Sequence, residues 1–359
     1  MYLKNLVHKT FKLNGNSFSN EEELITFSKT ISASLYRFLT DWFSNEDFIV
    51  VNTSGSTGNP KEIQLKKEYM KNSAIATGDY FELYPETTAL CCLPIDFIAG
   101  KMMVVRAMIL GWDLDIVAPS SNPLESIEKR YDFSAMVPLQ LSNSLDDMHK
   151  VYTLIVGGGV VSNELQESLQ SLSSHVYATY GMTETITHIA VQQLNIFPHS
   201  PVPSKEQIER YQSHYEVLPN VSISTDKRGC LIINAPKVSG EKVITNDVVE
   251  IISEGEFIWK GRYDNVINSG GIKLHPEEIE QKLSSVIEQR FFVIGMPDEK
   301  LGEKLVLIIE GEEYPLSDTT FHKLSKFQTP KDIYFVTDFI ETITGKIQRK
   351  ETLKRISLS

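Results

Sequence analysis

The sequence is poor in cysteine, has no dominant basic run and contains no long stretch of uncharged apolar residues. Its three cysteines, Cys91, Cys92 and Cys230, fit neither a disulfide framework nor a paired Cys-x-x-Cys metal site. A reducing cytoplasm is therefore the expected compartment. The formal net charge of -12 argues against a nucleic-acid partner, because nucleic-acid binding depends on clustered lysines and arginines that neutralise phosphates.

Membrane insertion is not predicted either. The most apolar stretch, residues 89–112, carries Asp96, Lys101 and Arg106, and charged side chains are costly inside a bilayer. Residues 1–17 have no apolar core of the kind that a secretory signal peptide requires. We therefore expect the apolar stretch to be a buried segment beside a ligand pocket.

The length and the pattern of the chain predict two domains. A chain of 359 residues exceeds what one hydrophobic core usually supports. Apolar strand patterns alternate with helical patterns in the first part, and the pattern changes after Gly261. We predict an α/β fold, with a large N-terminal domain over residues 1–263 and a small C-terminal α+β domain over residues 264–359.

The first informative stretch is the loop from Thr53 to Lys61, which follows the apolar run Phe48-Ile49-Val50-Val51. Its two glycines allow backbone N–H groups to approach an anion, its hydroxyls add donors, and Lys61 supplies a positive charge. It is not a Walker A loop, because Asn59 and Pro60 stand between the second glycine and the lysine. The sequence predicts a phosphate-binding loop here, and an ordinary polar turn is the alternative.

The second informative stretch runs from His175 to Thr185. A predicted strand delivers Tyr180 for stacking on a ring, a hydroxyl at Thr183 for a phosphate and a carboxylate at Glu184 for Mg²⁺. A strand end with unrelated polar residues is the alternative. The glycines at residues 157–159 follow another apolar strand, where backbone can approach a flat ligand or simply form a tight turn.

Three further residues are candidates for a functional site. Arg106 lies in an apolar helix, where its charge must be paired, reach the surface or meet an anion such as an acidic substrate. Asp247, at the start of a predicted strand, has a carboxylate that can hold the two hydroxyls of a ribose. Lys346 follows Thr344-Gly345 in a basic tail, a pattern that is otherwise typical of a solvated surface.

Three local predictions concern the remaining elements. The apolar spacing from Leu24 to Leu39 predicts a helix. Short strand patterns over residues 221–259 predict a small antiparallel sheet that closes the large domain. In the C-terminal part, a helix is predicted to open within residues 275–280 from its early proline and acidic residues, and another is predicted near residues 317–325.

Taken together, these stretches resemble the adenylate-forming superfamily, which includes acyl- and aryl-CoA synthetases, peptide-synthetase adenylation domains and luciferases. The resemblance is collinear from about Phe48 to Lys350. It rests on four ordered motifs: the loop at residues 53–61, Tyr-Gly-x-Thr-Glu at residues 180–184, the stretch at residues 261–280 and Thr-Gly-Lys at residues 344–346. It implies a ligase that forms an acyl-adenylate from ATP with Mg²⁺ and then a thioester with CoA.

The resemblance also implies residue roles. The two lobes would pivot at Asp264, and Lys346 would act with Thr183 and Glu184 in catalysis, with Glu184 as the Mg²⁺ ligand. CoA would meet Ser269, Gly270 and Gly271. The residues implied in ATP binding are Thr53, Ser54, Gly55, Ser56, Thr57, Gly58, Lys61, Gly158, Gly159, Tyr180, Asp247 and Arg262.

Within the superfamily, the stretches at residues 93–106 and 264–273 look most similar to the o-succinylbenzoate CoA ligases of menaquinone biosynthesis. That similarity implies an aromatic dicarboxylate as substrate, held by Arg106, Gly157 and His188. The alternatives are a ligase for another aryl or short acyl carboxylate and an enzyme that loads a carrier protein. A nucleotide-binding protein without catalytic activity is a further alternative of a different class.

Two features depart from the superfamily pattern. Most relatives carry a longer segment before the phosphate loop, so a contact with a second copy of the chain is a possible replacement for the burial which that segment provides. Phe97 stands where many relatives have a histidine that is linked to gating of the acyl pocket. An aromatic ring preserves the shape of that histidine but lacks its hydrogen bond.

Overall fold

The computed structural model describes residues 6–53, 61–195, 214–317, 319–341 and 347–356. It has an α/β architecture built on a large sheet of twelve strands, a small sheet of five strands and a separate two-stranded hairpin. The strands are β1 (Lys12–Leu13), β2 (Phe48–Thr53), β3 (Lys61–Lys66), β4 (Thr88–Cys91), β5 (Asp113–Ile116), β6 (Tyr131–Met136), β7 (Val151–Val156), β8 (His175–Gly181), β9 (His188–Gln193), β10 (Tyr215–Val217), β11 (Ser222–Thr225), β12 (Cys230–Asn234), β13 (Val243–Ser253), β14 (Glu256–Arg262), β15 (Ile267–Ser269), β16 (Ile272–Leu274), β17 (Phe291–Asp298), β18 (Gly302–Glu310) and β19 (Asp332–Val336).

Eight α-helices complete the described parts of the chain, together with short 3₁₀ turns. The helices are α1 (Glu21–Ser28), α2 (Ala33–Phe43), α3 (Lys67–Phe81), α4 (Ile98–Leu110), α5 (Pro138–Asn143), α6 (Asn163–Leu169), α7 (Pro276–Leu283) and α8 (Arg349–Ile356).

The large sheet has twelve strands in the order β1-β5-β4-β6-β7-β8-β9-β10-β14-β13-β12-β11. Neighbouring strands are parallel from β1 to β8. From β8 onward they are antiparallel. The antiparallel strands predicted over residues 221–259 are present, but they extend the large sheet and do not form a small sheet of their own. Strand β9 pairs with the free edge of β8, so the antiparallel strands continue the same sheet because an unpaired edge leaves backbone groups unsatisfied.

Helix α4 lies in the core of the large lobe, which is the part of the chain that packs around the twelve-stranded sheet. Its residues from Met102 to Met108 are all buried, which fits a helix that is apolar on every side. Gly78 of α3 lies so close to Leu110 that a Cβ at this position would approach the leucine side chain to 2.9 Å. The glycine thus allows α3 to pack tightly against α4.

The predicted single helix over residues 24–39 is instead two helices, α1 and α2. Ser32 between them is extended, and its hydroxyl accepts a hydrogen bond from Leu35 N at 3.1 Å. Asn20 caps α1 in the same way through Glu23 N at 3.0 Å. Serine is a favoured N-cap residue, so a new helix begins there although the apolar spacing continues through it.

The hairpin on either side of the predicted phosphate loop is formed by β2 and β3, which are antiparallel and end in the pair Thr53 and Lys61. Residues 54–60, which contain Ser54, Gly55, Ser56, Thr57 and Gly58, lie outside the described residues. The strand arms agree with the sequence pattern. The phosphate-binding role of the loop stays a prediction.

The small sheet has the order β16-β15-β18-β17, with β19 paired to β18. Helix α7 begins where the sequence predicts a helix to open. The second predicted helix is wrong, because the described residues near 317–325 form turns. The core clusters of this sheet begin at Ile267 and share no residue with the clusters of the large sheet. The domain boundary at Asp264 stays a prediction.

Candidate active site

The carboxyl ends of the parallel strands form the edge at which ligands bind in open α/β sheets. Here β6 and β7 end beside each other, and Gly157 N donates to Met136 O at 3.1 Å. Gly158 has a φ of +81° and lies next to the Val137 side chain. A Cβ at Gly157 would approach Thr179 Oγ1 of β8 to 2.7 Å. The predicted glycine stretch is therefore at this edge, in contact with two neighbouring strands.

The turn after β8 holds the second motif in an unusual conformation. A Cβ at Gly181 would collide with the carbonyl oxygen of Thr187, so only glycine fits at this close approach. Thr187 N donates to Thr185 O at 2.8 Å across Ile186, whose φ is +67°. This is a strained γ-turn, and a positive φ at a β-branched residue is rare. Strain of this kind is concentrated at functional sites.

Thr183 and Glu184 lie in the 3₁₀ turn that precedes Ile186. The Glu184 side chain is exposed and Thr183 is partly buried. Within the described residues no cluster of three or more His, Cys, Asp or Glu side chains could hold a metal by itself. A single exposed carboxylate fits Mg²⁺, which is commonly bound by one or two carboxylates together with substrate phosphates and water.

Asp247 is the centre of a hydrogen-bonded group that includes Tyr180. Tyr180 donates its hydroxyl proton to Asp247 Oδ2 at 2.7 Å, and Trp259 Nε1 donates to Oδ1 at 3.2 Å. Arg262 lies 3.7 Å from the same oxygen Oδ1. Burial and the neighbouring Asp247 raise the pKa of Tyr180, which keeps the phenol neutral and able to donate. The Tyr180 ring packs edge-on against Phe257, with ring centres 5.2 Å apart.

Arg106 is buried, with 2% of its surface exposed. Its guanidinium contacts hydroxyls, since Nε donates to Thr77 Oγ1 and NH2 to Thr187 Oγ1, both at 3.2 Å. No carboxylate lies within 4 Å of it among the described residues. Burial lowers the pKa of Arg106 to about 10. The guanidinium therefore remains a cation at neutral pH without an anionic partner in the described structure.

His188 lies beside this arginine and is also buried. Its Nε2 atom has no hydrogen-bond partner within the described residues. Burial, followed by the positive charge of Arg106, lowers the pKa of His188 well below its ordinary value. A cavity of about 160 Å³ reaches this group and is lined by His188 and Ser73, whose hydroxyl is 3.0 Å from Thr187 Oγ1.

The predicted pivot and CoA residues lie beyond β14. Asp264 accepts from Arg262 at 3.0 Å and from Asn246 Nδ2 at 3.3 Å. Residues 269–271 form the turn of the β15–β16 hairpin, with positive φ at Gly270 and Gly271. Among the described contacts, no hydrogen bond joins this turn to the edge of the large sheet. Lys346 lies outside the described residues.

Comparisons with known proteins agree with this arrangement. Residues 5–228 match the family model described as AMP-binding enzyme. The chain belongs to the AMP-binding enzyme family. A solved relative is the acyl-CoA synthetase (AMP-forming)/AMP-acid ligase II-like protein from Dyadobacter fermentans DSM 18053. It is 37% identical, with 90% of this chain and 94% of that chain covered and a TM-score of 0.59.

Two other similar AMP-binding enzymes are more distant. The 2-succinylbenzoate CoA ligase of Lactococcus lactis subsp. lactis (strain IL1403) is 25% identical, over 84% of this chain and 70% of that protein. The o-succinylbenzoate CoA synthetase of Bacillus subtilis, in complex with the acyl-adenylate OSB-AMP, is 21% identical. It has a TM-score of 0.73, with 84% of this chain and 68% of that chain covered, and supports the fold alone. The protein is thus an adenylate-forming ligase.

Sequence reasoning missed several residues of this AMP-binding enzyme site. Trp259 donates to the predicted ribose carboxylate, and Ile186 is the central residue of the turn that presents Thr187. None of them has a sequence signal of its own. Phe97 precedes the first residue of α4 and is 46% exposed, within the stretch at residues 89–112 that was predicted to lie beside a ligand pocket.

No helix in the described ranges is long and apolar enough to cross a membrane.

Proposed function

We propose that this ligase converts o-succinylbenzoate to its acyl-adenylate with ATP and then to the CoA thioester, as a step of menaquinone biosynthesis in the cytoplasm. The names of its curated relatives support this substrate. All three cysteines are buried free thiols, which fits a reducing compartment.

The buried Arg106 is the observation that carries the choice of substrate. A buried charge without a counter-charge is costly, so proteins pair such charges. Arg106 has only hydroxyl and thioether partners in the described structure, and the neighbouring His188 Nε2 is unpaired. A second carboxylate on the acid would supply the missing anion and accept from His188, if the imidazole carries its proton on Nε2. This favours a dicarboxylate over a simple acyl acid.

The chain's own residues would divide the remaining work. Asp247 and Arg262 would hold the ribose, while Tyr180 and the glycines at 158–159 would line the adenine pocket. Thr183 would contact the α-phosphate, and Lys61 and Lys346 would neutralise charge as it moves toward pyrophosphate. Mg²⁺ held at Glu184 would polarise the phosphates. The attacking carboxylate comes from the substrate, so this chemistry requires no protein nucleophile.

The second step needs a different set of residues. After the adenylate has formed, the thiol of CoA must reach its carbonyl carbon and displace AMP. A pivot at Asp264 would withdraw Lys346 and present Ser269, Gly270 and Gly271 to the pantetheine arm. Both glycines have a positive φ, and a Cβ at Gly271 would meet no atom within 4 Å.

Replacement of Arg106 tests the substrate. The variant Arg106→Met removes the charge and keeps much of the volume, so we expect the KM for o-succinylbenzoate to rise about 10-fold or more. The KM for ATP should stay within about 2-fold, because the arginine contacts no predicted ATP residue. Arg37→Met, which removes an exposed arginine, is the control. Equal KM values for the acid in Arg106→Met and the control would exclude Arg106 as the anchor.

A pyrophosphate-release screen over carboxylic acids, repeated with CoA and thioester detection, tests the reaction itself. Release with o-succinylbenzoate followed by thioester formation is the expected result. Release without a thioester would favour the enzyme that loads a carrier protein. Pyrophosphate release with another acid would identify that acid as the substrate in place of o-succinylbenzoate. Absence of release with every acid would favour a protein without catalytic activity.

A further inference from the structure

A bidentate ion pair joins two helices of the small lobe. Arg349 NH1 donates to Glu280 Oε1 at 2.7 Å, and NH2 donates to Oε2 at 2.8 Å. Val293 N of β17 donates to the same Oε1 at 2.8 Å, and Arg349 also lies over the Phe292 ring. The side chains of both charged residues are mostly buried, at 22% and 18% exposure. The arginine is therefore fixed in direction as well as in place.

Arg349 lies three residues after Lys346 and is the first residue of α8. The described residues next to Lys346 are also fixed, because Ile347 pairs with Glu341 in an isolated bridge. Gln348 N donates to Ile340 O at 2.7 Å. The chain is thus held in register from Ile347 onward, and the Glu280 pair fixes it against α7 and β17.

The helix that carries Glu280 also contacts Asn265, the residue that follows the predicted pivot Asp264. Asn265 Nδ2 donates to Glu277 Oε1 at 2.6 Å, and Arg349 lies 3.9 Å from the same oxygen. A Cβ at Gly261 of β14 would collide with Glu277 Oε2. Helix α7 therefore contacts the end of the large sheet with one carboxylate and holds Arg349 with another, one turn further along.

We propose that Glu280 and Arg349 are positioning residues for Lys346, and that their ion pair fixes the chain beside Lys346 for the adenylation step. This inference rests on the proposed function. It goes beyond the roles assigned above, because neither residue belongs to the predicted set that contacts substrate or nucleotide.

A purely stabilising role is the competing explanation. Buried ion pairs are a poor source of stability, since the cost of dehydrating both charges often equals or exceeds their attraction. Burial raises the pKa of Glu280, while the Arg349 charge and the Val293 N–H oppose this rise. What the pair provides is a directional, two-point contact at a fixed position along the chain. Positioning matters in catalysis because a displacement of about 1 Å can cost about 100-fold in rate.

The two half-reactions separate positioning from stability. In the family to which the chain belongs the lysine of this motif is implied in adenylation, so Glu280→Gln and Arg349→Lys should lower kcat for pyrophosphate release with o-succinylbenzoate by about 10- to 100-fold. Thioester formation from supplied o-succinylbenzoyl-AMP and CoA should change by less than about 3-fold. Lys346→Ala is the reference, with the same division between the two half-reactions.

Lys354→Gln is the matched control, because it removes an exposed charge from the same helix and should leave both half-reactions unchanged. Arg349→Lys keeps the charge and carries the test if Glu280→Gln does not fold. An equal loss in both half-reactions, or no loss in adenylation, would overturn the positioning role. If Lys346→Ala lowers the rate of adenylation and Glu280→Gln and Arg349→Lys do not, the positioning role is wrong and the proposed function stands. If the unmodified protein releases no pyrophosphate with this acid, both proposals fail.

Discussion

At the scale of single residues, His188 is the most informative titratable group outside the ion pairs. It is buried beside the Arg106 cation, and both facts hold its pKa well below 6.5. The folded protein therefore keeps this histidine neutral at pH values where the unfolded chain binds a proton. Since the unfolded state then binds more protons than the folded state, stability falls as the pH falls below about 6.5.

The substitution His188→Asn should remove this pH dependence. We expect the unmodified protein to lose about 1 kcal/mol more than the variant for each pH unit below about 6.5, until the folded pKa is reached. Urea unfolding at several pH values between 7.5 and 5 measures the difference, and the other histidines cancel in the comparison. Parallel stability curves for the two proteins would show that His188 is not held neutral.

Sequence reasoning can identify a candidate site residue when its side chain differs in charge or polarity from its neighbours along the chain. Arg106 was noticeable because a charge interrupts an apolar helix, and the structure shows that this side chain is buried. Its role as a substrate anchor stays a prediction. Trp259 and Ile186 could not be predicted in this way. An indole N–H facing Asp247 and a γ-turn at a β-branched residue both depend on how distant strands are brought together. These features arise from tertiary packing, which local patterns do not encode.

At the scale of elements, the contact between α7 and β14 depends on Gly261. Its φ is +132°, and an added Cβ would meet the Glu277 carboxylate. Gly311 is a matched control, with a φ of +120° and no atom within 4 Å of an added Cβ. Both Gly→Ala variants place a residue with a Cβ at a positive φ, which lowers the free energy of unfolding by about 1–3 kcal/mol. Gly261→Ala alone must also displace Glu277.

We therefore expect Gly261→Ala to be less stable than Gly311→Ala by about 1 kcal/mol or more. Chemical unfolding of both variants at neutral pH provides the comparison. An equal loss of stability in the two variants would mean that the carboxylate moves away without cost. In that case the packing of α7 against β14 would be weaker than the structure indicates.

The strand before the phosphate loop, the antiparallel strands over residues 221–259 and the helices α4 and α7 follow from periodicity and end signals in the sequence. The errors concern how elements continue or join. The break between α1 and α2 is set by the capping of Leu35 N by Ser32, although the apolar spacing is uninterrupted. The antiparallel strands join the large sheet because β9 pairs with the edge of β8. Strand pairing across long sequence distances is not contained in local pattern.

At the scale of the whole molecule, the cores of the two sheets have no member in common. We expect two calorimetric unfolding transitions, one for each lobe. ATP with Mg²⁺ should raise the transition of the large lobe by more, because most predicted nucleotide residues lie there and a ligand stabilises the state that it binds. The gain is about 2.7 kcal/mol when the ligand is at 100 times its Kd. A single unfolding transition that shifts as a whole when ATP and Mg²⁺ are added would show that the two lobes unfold together.

The large sheet is open, so two of its strands have one side unpaired. Within the described residues these are β1, with two residues, and β11, with four. Short edge strands offer few backbone groups to another chain, and the outer strand β11 is rich in serine and threonine. Together with the net charge of -12, these edges should oppose amyloid-like stacking of the folded protein in spite of a sheet of twelve strands.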